Sequence, residues 1–169
     1  SDPSNFKKAV QENTRAFFVE SLGNPKLDVL DLKAISAEAK ASKVPFIVDN
    51  TVASPYLLNP IQYGADIVIH SLTKYITGNG TSLGGVIIDA GNFDWTNGKF
   101  PEFTEPSAGY HGLIYHEALG RAAFIAKVRV EGLRDYGAAL SPFNAFQIIQ
   151  GLETLPIRIQ RHSENALAL

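Results

Sequence analysis

The chain has 169 residues, 45% of them hydrophobic and 19% charged, which suits one compact domain with a real core and not a disordered chain. Fifteen basic against seventeen acidic residues give a formal net charge of −2; with no clustered Lys and Arg, nucleic acid is a poor partner. No apolar run approaches the roughly 20 residues of a membrane-crossing helix, and the absence of cysteine excludes disulfides and cysteine metal sites.

In chain order, the opening Ser1–Asn5 lacks the basic-then-apolar layout of a secretion signal, so a cytoplasmic protein is the default expectation. Thr14–Val19 is aromatic and β-branched, the composition of a buried strand, and stops at Glu20-Ser21 before the turn signal Gly23-Asn24-Pro25. A helix is expected from about residue 28 to 42, with Leu27, Leu30, Ala34, Ala37 and Ala41 at helical spacing toward the core. Its acidic start (Asp28, Asp31) and basic end (Lys40, Lys43) suit the helix dipole.

Val44–Val48 is the next strand, ending at Asp49-Asn50. A short helix or turn follows through Pro55–Tyr63, closed by Gly64. Ala65–Ile69 forms a third strand, ending at His70-Ser71, and Gly85–Ile88 a fourth, closed by Asp89. Residues 92–112 read as an irregular excursion that Trp95 and Phe93 anchor. One long amphipathic helix is then expected over residues 115–140, with Leu119, Ala122, Ala126, Val130, Leu133 and Gly137 on one side. Ser141-Pro142 starts another helix, with Ser as N-cap and Pro in the first turn, and Gly151 closes it. A last helical segment runs to Leu169. No methionine occurs, even at position 1, and the chain stops inside this helix; an internal piece of a longer protein is expected.

Strands alternating with helices predict an α/β fold, a mostly parallel sheet flanked by helices. Strand bodies this apolar are expected to be buried on both faces. Three successive strands end in polar residues, and the carboxyl ends of such strands are where open α/β sheets bind ligands. Pyridoxal phosphate (PLP) needs an amine for its aldehyde, a carboxylate for its ring nitrogen, and hydroxyls with backbone N–H groups for its phosphate. Lys74, Asp49, and Ser71 with Thr73 supply each of these at or just beyond strand ends. Asp49 alone could equally be a structural cap, and a lone lysine is usually a solvated one. Gly78-Asn79-Gly80 with Gly84-Gly85 does not fit a nucleotide loop, because a strand follows where a helix N-terminus is needed. His111 and His116 lack a third ligand for a metal. His70 reads as a hydrogen-bonded structural histidine, His162 as helix surface or subunit contact, and Asn79-Gly80-Thr81 as a chance sequon.

The strings Val48-Asp49-Asn50-Thr51, Ser54-Pro55 and Gly64 through Tyr75 (GADIVIHSLTKY) resemble the cofactor segment of the Cys/Met-metabolism PLP enzymes. Val19 through Pro25 (VESLGNP) is similar to that family's Glu-Ser…Asn-Pro element. Residues 80–89, 92–95, 110–112, 140–146, 151–155 and 161–165 extend the likeness over essentially the whole chain, toward the branch that uses O-acetylhomoserine. Gly78-Asn79-Gly80 departs from an expected Gly-His-Gly. The resemblance implies a type I (aspartate-aminotransferase-like) PLP domain, with residues 1–140 part of the PLP-binding α/β layer and 141–169 leading toward a C-terminal domain. It implies that Lys74 is catalytic and holds the cofactor, Asp49 pairs with the ring nitrogen, Ser71 and Thr73 hold the phosphate, and Asn24 lies near the ring's phenolic oxygen and the substrate carboxylate. Glu20 supports that loop or is structural. The implied reaction is γ-replacement on O-acetyl-L-homoserine by sulfide or a thiol, in a full-length protein that forms a homo-oligomer. Two alternatives stand beside it: a cystathionine γ-synthase, γ-lyase or methionine γ-lyase with the same core, and a catalytically inert structural or oligomerisation module.

Overall fold

A computed structural model describes residues 2–169. A short helix α1 (Ser4–Ala9) precedes strand β1 (Phe17–Glu20), helix α2 (Leu32–Ala41) and strand β2 (Phe46–Asp49). Then come α3 (Ser54–Leu57), a tight turn at Pro60–Tyr63, β3 (Ile67–Ser71) and β4 (Gly85–Asp89). The sheet order is β1-β2-β3-β4. β1, β2 and β3 are parallel, with Glu20 opposite Asp49 and Asp49 opposite Ile69. β4 returns antiparallel, Ser71 opposite Gly85. The α/β fold with a mostly parallel sheet is therefore the observed one, and three carboxyl-terminal strand ends share one edge of it.

Burial on both faces holds for the two inner strands only. Phe46, Val48, Ile67 and Val68 are almost fully buried, whereas Phe18 in β1 is 57% exposed and Ile87 and Ile88 in β4 are also open. One sheet face packs Phe17, Val19, Phe46, Val48 and Val68 under Leu32, Ile35 and Ala39 of α2. The other packs Ile67 with Ile47 and Ile69 against Trp95, Phe100, Phe103 and Ala123.

The expected buried face of α2 is corrected. Asp31 is the N-cap, its carboxylate accepting from Ala34 N at 3.0 Å, so Leu27 and Leu30 fall outside the helix. The remaining expected positions are alanines, and Ala37 and Ala41 are exposed. The helix turns Leu32 and Ile35 inward instead; each buried methylene stabilises by about 0.8 kcal/mol, which outweighs an alanine stripe. At Gly64 the chain needs a left-handed residue (φ 93°) to leave the Pro60–Tyr63 turn, and its carbonyl accepts from the Ser36 hydroxyl at 3.0 Å.

The single helix expected over residues 115–140 is broken. Short helices α4 (Pro101–Thr104), α5 (Tyr115–Leu119), α6 (Ala123–Lys127) and α7 (Arg134–Tyr136) occur, with a wide turn at Val128–Leu133. Gly120 (φ 51°, ψ −120°) interrupts the first turn pair and Gly137 (φ 70°) ends the last; glycine costs a helix interior about 1 kcal/mol, which lets loop packing win. Leu119, Ala122, Leu133 and Gly137 are exposed, and Tyr115 and Ala123 are the buried positions. The excursion is held as expected: Trp95 stacks on Phe124 at 5.1 Å and meets Phe93 edge-on at 4.6 Å.

Two helices close the chain, α8 (Pro142–Glu153) and α9 (Leu155–Ala168). Ser141 occupies the N-cap position without a side-chain cap bond. Gly151 does not end α8; it is buried within it, pressed so closely on Thr77 that a Cβ would sit 2.2 Å from the Thr77 carbonyl oxygen. No helix among the described residues is long and apolar enough to cross a membrane.

Candidate active site

The strand ends and the chain after β3 enclose a cleft of about 1060 Å³, lined by Glu20, Asn24, Asp49, Thr51, Ser71, Thr73 and Lys74 together with Tyr75, Arg158, Arg161 and His162. That volume suits a small cofactor with a small substrate. All five residues singled out from the sequence, Asn24, Asp49, Ser71, Thr73 and Lys74, lie on this one cleft.

β2 delivers Asp49 at its last residue. Asp49 Oδ1 accepts from Thr51 N at 2.9 Å and from the Thr51 hydroxyl at 2.5 Å. Among the described residues no donor reaches Asp49 Oδ2. The Thr51 oxygen in turn accepts from Ser71 N at 2.8 Å, which ties the ends of β2 and β3 together. Behind them, the Ser21 hydroxyl donates to Asn50 Oδ1 at 2.8 Å, and Asn50 Nδ2 donates to the carbonyls of Ser54 and Leu58 at 3.0 and 2.8 Å. Asn50 is fully buried, so this set fixes the β2 end from beneath.

Asn24 enters from the loop after β1, where Glu20 Oε2 accepts its backbone N–H at 2.8 Å. Glu20 is thus the support of that loop. His70 is buried, 2% exposed, but its Nδ1 has no partner among the described residues; the expected hydrogen-bonded histidine is corrected on that atom. Burial pulls its pKa below the ordinary value, against the opposing pull of the Asn50 backbone and the Asp49 carboxylate.

Lys74 sits in a single wide turn after β3. Thr77 N donates to Leu72 O at 3.1 Å, five residues back, and Gly78 N to Lys74 O at 2.9 Å, while Lys74 itself has non-helical angles (φ −93°, ψ −122°). Such one-turn bulges occur frequently at functional sites. The Lys74 ammonium and the Ser71 hydroxyl make no hydrogen bond to another described residue. The Thr73 hydroxyl is partly committed: it accepts from Gly84 N at 3.1 Å and donates to Gly84 O at 3.3 Å, which leaves it one lone pair.

Residues of α9 reach the cleft, which the spacing of the sequence did not indicate. Arg158 donates to Tyr75 O (2.8 Å), Ile76 O (3.1 Å) and Gly151 O (2.8 Å). The ring of His162 lies 5.9 Å from that of Tyr75, so His162 is a cleft residue and not merely helix surface. Leu72 and Ile76 pack with Ile148, Leu155 and Ile159, so the 141–169 segment builds one wall of the site. Asn79 and His111 are exposed and off the cleft, and His116 is half-buried and also off it.

A PLP molecule requires an amine, a carboxylate with a free oxygen, and hydroxyl or N–H donors on one cleft. Lys74, Asp49 with its undonated Oδ2, and the Ser71 hydroxyl meet those needs, and Thr73 adds a second hydroxyl once it releases the 3.3 Å bond to Gly84 O, so the residues present fit the group.

The family described as Cys/Met metabolism PLP-dependent enzyme matches residues 1–169. The chain is 59% identical to an O-acetyl-L-homoserine sulfhydrylase of Leptospira meyeri, over 99% of this chain and 40% of that protein. It is 50% identical to a homocysteine/cysteine synthase of Saccharomyces cerevisiae, over 99% of this chain and 38% of that protein. A crystal structure assigned as an O-acetylhomoserine (thiol)-lyase of Campylobacter jejuni, described with a pyridoxyl-lysine phosphate, superposes with a TM-score of 0.93 at 42% identity, covering 99% of this chain and 42% of that one. The chain thus spans about two fifths of the length of these relatives.

Proposed function

The chain belongs to the Cys/Met metabolism PLP-dependent enzymes, and from that premise we propose that it carries the cofactor-holding half of a γ-replacement site, acting on O-acetyl-L-homoserine and sulfide or a thiol. The observation that carries this reading is the convergence of Lys74, Asp49, Ser71, Thr73 and Asn24 on one cleft at the carboxyl ends of parallel strands. The name of the Leptospira meyeri relative points to that substrate, and the name of the Saccharomyces cerevisiae relative to homocysteine as a product.

Lys74 holds the cofactor's aldehyde carbon through its amine. Asp49 Oδ2 pairs with the ring nitrogen and keeps it protonated, while Thr51 occupies the other oxygen and fixes the carboxylate's orientation. The Ser71 hydroxyl donates to the phosphate, and Thr73 does so by turning its own hydroxyl proton away from the long 3.3 Å bond to Gly84 O. Asn24, positioned by Glu20, faces the phenolic oxygen and the substrate carboxylate. When bound, PLP would supply an electron sink that lowers the cost of losing the proton on the amino-bearing carbon. Lys74 would be the base that removes the Cα proton and then moves protons at Cβ. Acetate leaves from Cγ and sulfide adds there, so O-acetyl-L-homoserine and hydrogen sulfide become homocysteine and acetic acid.

The test uses the full-length protein bearing this sequence, loaded with PLP. Borohydride reduction followed by peptide mass analysis is expected to find the cofactor on Lys74, and the near-visible absorbance band is expected to vanish in Lys74→Ala. Homocysteine is expected from O-acetyl-L-homoserine plus sulfide, in excess of turnover of cystathionine or methionine. An adduct on another lysine sinks the site assignment. Faster turnover of cystathionine or methionine sinks the substrate assignment.

A further inference from the structure

We propose that Arg158 is the residue that holds the Lys74 turn in its working shape, a positioning role that rests on the function just assigned. The turn cannot supply this rigidity alone. It is one wide turn of five residues, Leu72–Ile76, with non-helical angles at Lys74 itself, and a single turn forms few bonds for the dihedrals it fixes. The carbonyls of Tyr75 and Ile76, next in line after Lys74, accept instead from one guanidinium, Nη1 at 2.8 Å and Nη2 at 3.1 Å.

The same group is anchored on its far side. Nη2 also donates to Gly151 O at 2.8 Å and Nε to the Thr154 hydroxyl at 3.0 Å, so one side chain spans the Lys74 turn, the end of α8 and the start of α9. Every one of these partners is a neutral oxygen, and among the described residues Arg158 forms no ion pair. A cation committed to three carbonyls and a hydroxyl serves geometry. Charge-assisted bonds are roughly twice as strong as neutral ones, and the planar fork reaches acceptors in fixed directions that the point charge of a lysine cannot match. The apolar contacts of Ile76 with Leu155 and Ile159 press the same surfaces together, and the Tyr75–His162 ring contact adds a second tie one helical turn along. Arg158, Tyr75 and Lys74 all line the one cleft. A displaced turn moves the lysine amine relative to Asp49, and a misplacement of about 1 Å in a reacting group can cost roughly a hundredfold in rate.

The experiment compares full-length, PLP-loaded wild type with Arg158→Lys and Thr154→Val. It reads kcat and KM for O-acetyl-L-homoserine, the pH midpoint of the near-visible cofactor band, the residue trapped by borohydride, and the melting temperature of the PLP-free protein. Arg158→Lys is expected to keep the adduct on Lys74, to lose roughly a hundredfold in kcat with KM within about threefold, and to shift the midpoint by about half a unit or more although the positive charge is retained. Thr154→Val, which removes the Nε anchor and the Thr154 hydroxyl's own bond to Gly151 O at 3.2 Å but leaves the guanidinium's three carbonyl bonds, is expected to shift kcat and midpoint the same way by less. Wild-type kcat and midpoint in Arg158→Lys overturn the proposal. So does a variant that merely melts earlier while its folded fraction keeps the wild-type midpoint. An adduct on a lysine other than Lys74 in the wild type is a separate result, which removes the functional assignment and this role with it.

Discussion

Asp49 and Ser71, on neighbouring strands, are joined through one hydroxyl: Thr51 donates to the Asp49 carboxylate at 2.5 Å and accepts the Ser71 N–H at 2.8 Å. The group assigned to the ring nitrogen and a group assigned to the phosphate are therefore set at a fixed separation before any ligand arrives, which lowers the ordering cost of binding. Thr51→Val keeps the shape and removes the link. It leaves the Ser71 N–H without its acceptor, a loss of about 1–3 kcal/mol where water cannot replace it. PLP affinity of the full-length protein is expected to fall roughly tenfold or more, the equivalent of about 1.4 kcal/mol, as measured by equilibrium titration of the PLP-free protein. Unchanged affinity would show that the strap does not organise the site.

Asp49→Asn separates charge from geometry. The side-chain oxygen of asparagine still accepts from Thr51 N and the Thr51 hydroxyl, so the strap survives while the negative charge goes. The cofactor is expected to remain attached to Lys74, and kcat to drop roughly a hundredfold or more, the order seen when one electrostatic stabiliser is removed from an active site. Steady-state kinetics alongside the absorbance spectrum checks this. A turnover close to wild type would contradict the electron-sink role.

The sheet and the candidate cofactor residues were legible in the sequence for the same reason: a short apolar run that stops at a polar residue marks both a buried strand and its exposed end. Asp49, Ser71 and Lys74 each sit at or just past such a stop. The phase of α2 was misread because its acidic start was placed at Asp28, three residues before Asp31, the N-cap that actually begins it. Gly151 read as a helix end because a helix-breaking residue and a close-contact residue look identical in one dimension. Arg158 left no local sign at all. Its partner Tyr75 is 83 positions away, and a guanidinium on an amphipathic helix ordinarily meets solvent.

Gly151→Ala tests the close approach of α8 to the turn after Lys74. Alanine would improve helix propensity by about 1 kcal/mol, but its Cβ would fall 2.2 Å from Thr77 O and 2.7 Å from Thr77 Cα. Backbone on both sides leaves no flexible side chain to yield, and overpacking of this kind costs about 1–3 kcal/mol or more. The clash is expected to outweigh the propensity gain, lowering the melting temperature and accelerating PLP loss together, because the displaced segment is the one that carries Lys74. A variant melting above the wild type would show that propensity wins and that the contact is loose.

Tyr115 gives the fold an alkaline limit away from the cleft. Its side chain is fully buried, and its hydroxyl donates to Glu131 Oε1 at 2.9 Å. Burial first, and then the Glu131 carboxylate, push its pKa up from 10.0 to about 12. Between those values the folded chain retains a proton that the unfolded chain has lost, so stability from this group is complete below pH 10 and falls as pH rises through 10 to 12. Tyr115→Phe lacks the titration. At pH 8 it is expected to be less stable by about 1 kcal/mol, the ordinary net value of one hydrogen bond, since Glu131 keeps Lys127 at 2.6 Å and Ser107 at 3.2 Å. As the pH is raised from 10 to 12, the gap in melting temperature between wild type and variant is expected to close and then reverse. A gap that stays constant over that range would mean that the phenol ionises equally in the folded and unfolded chains, and that neither its burial nor Glu131 governs it.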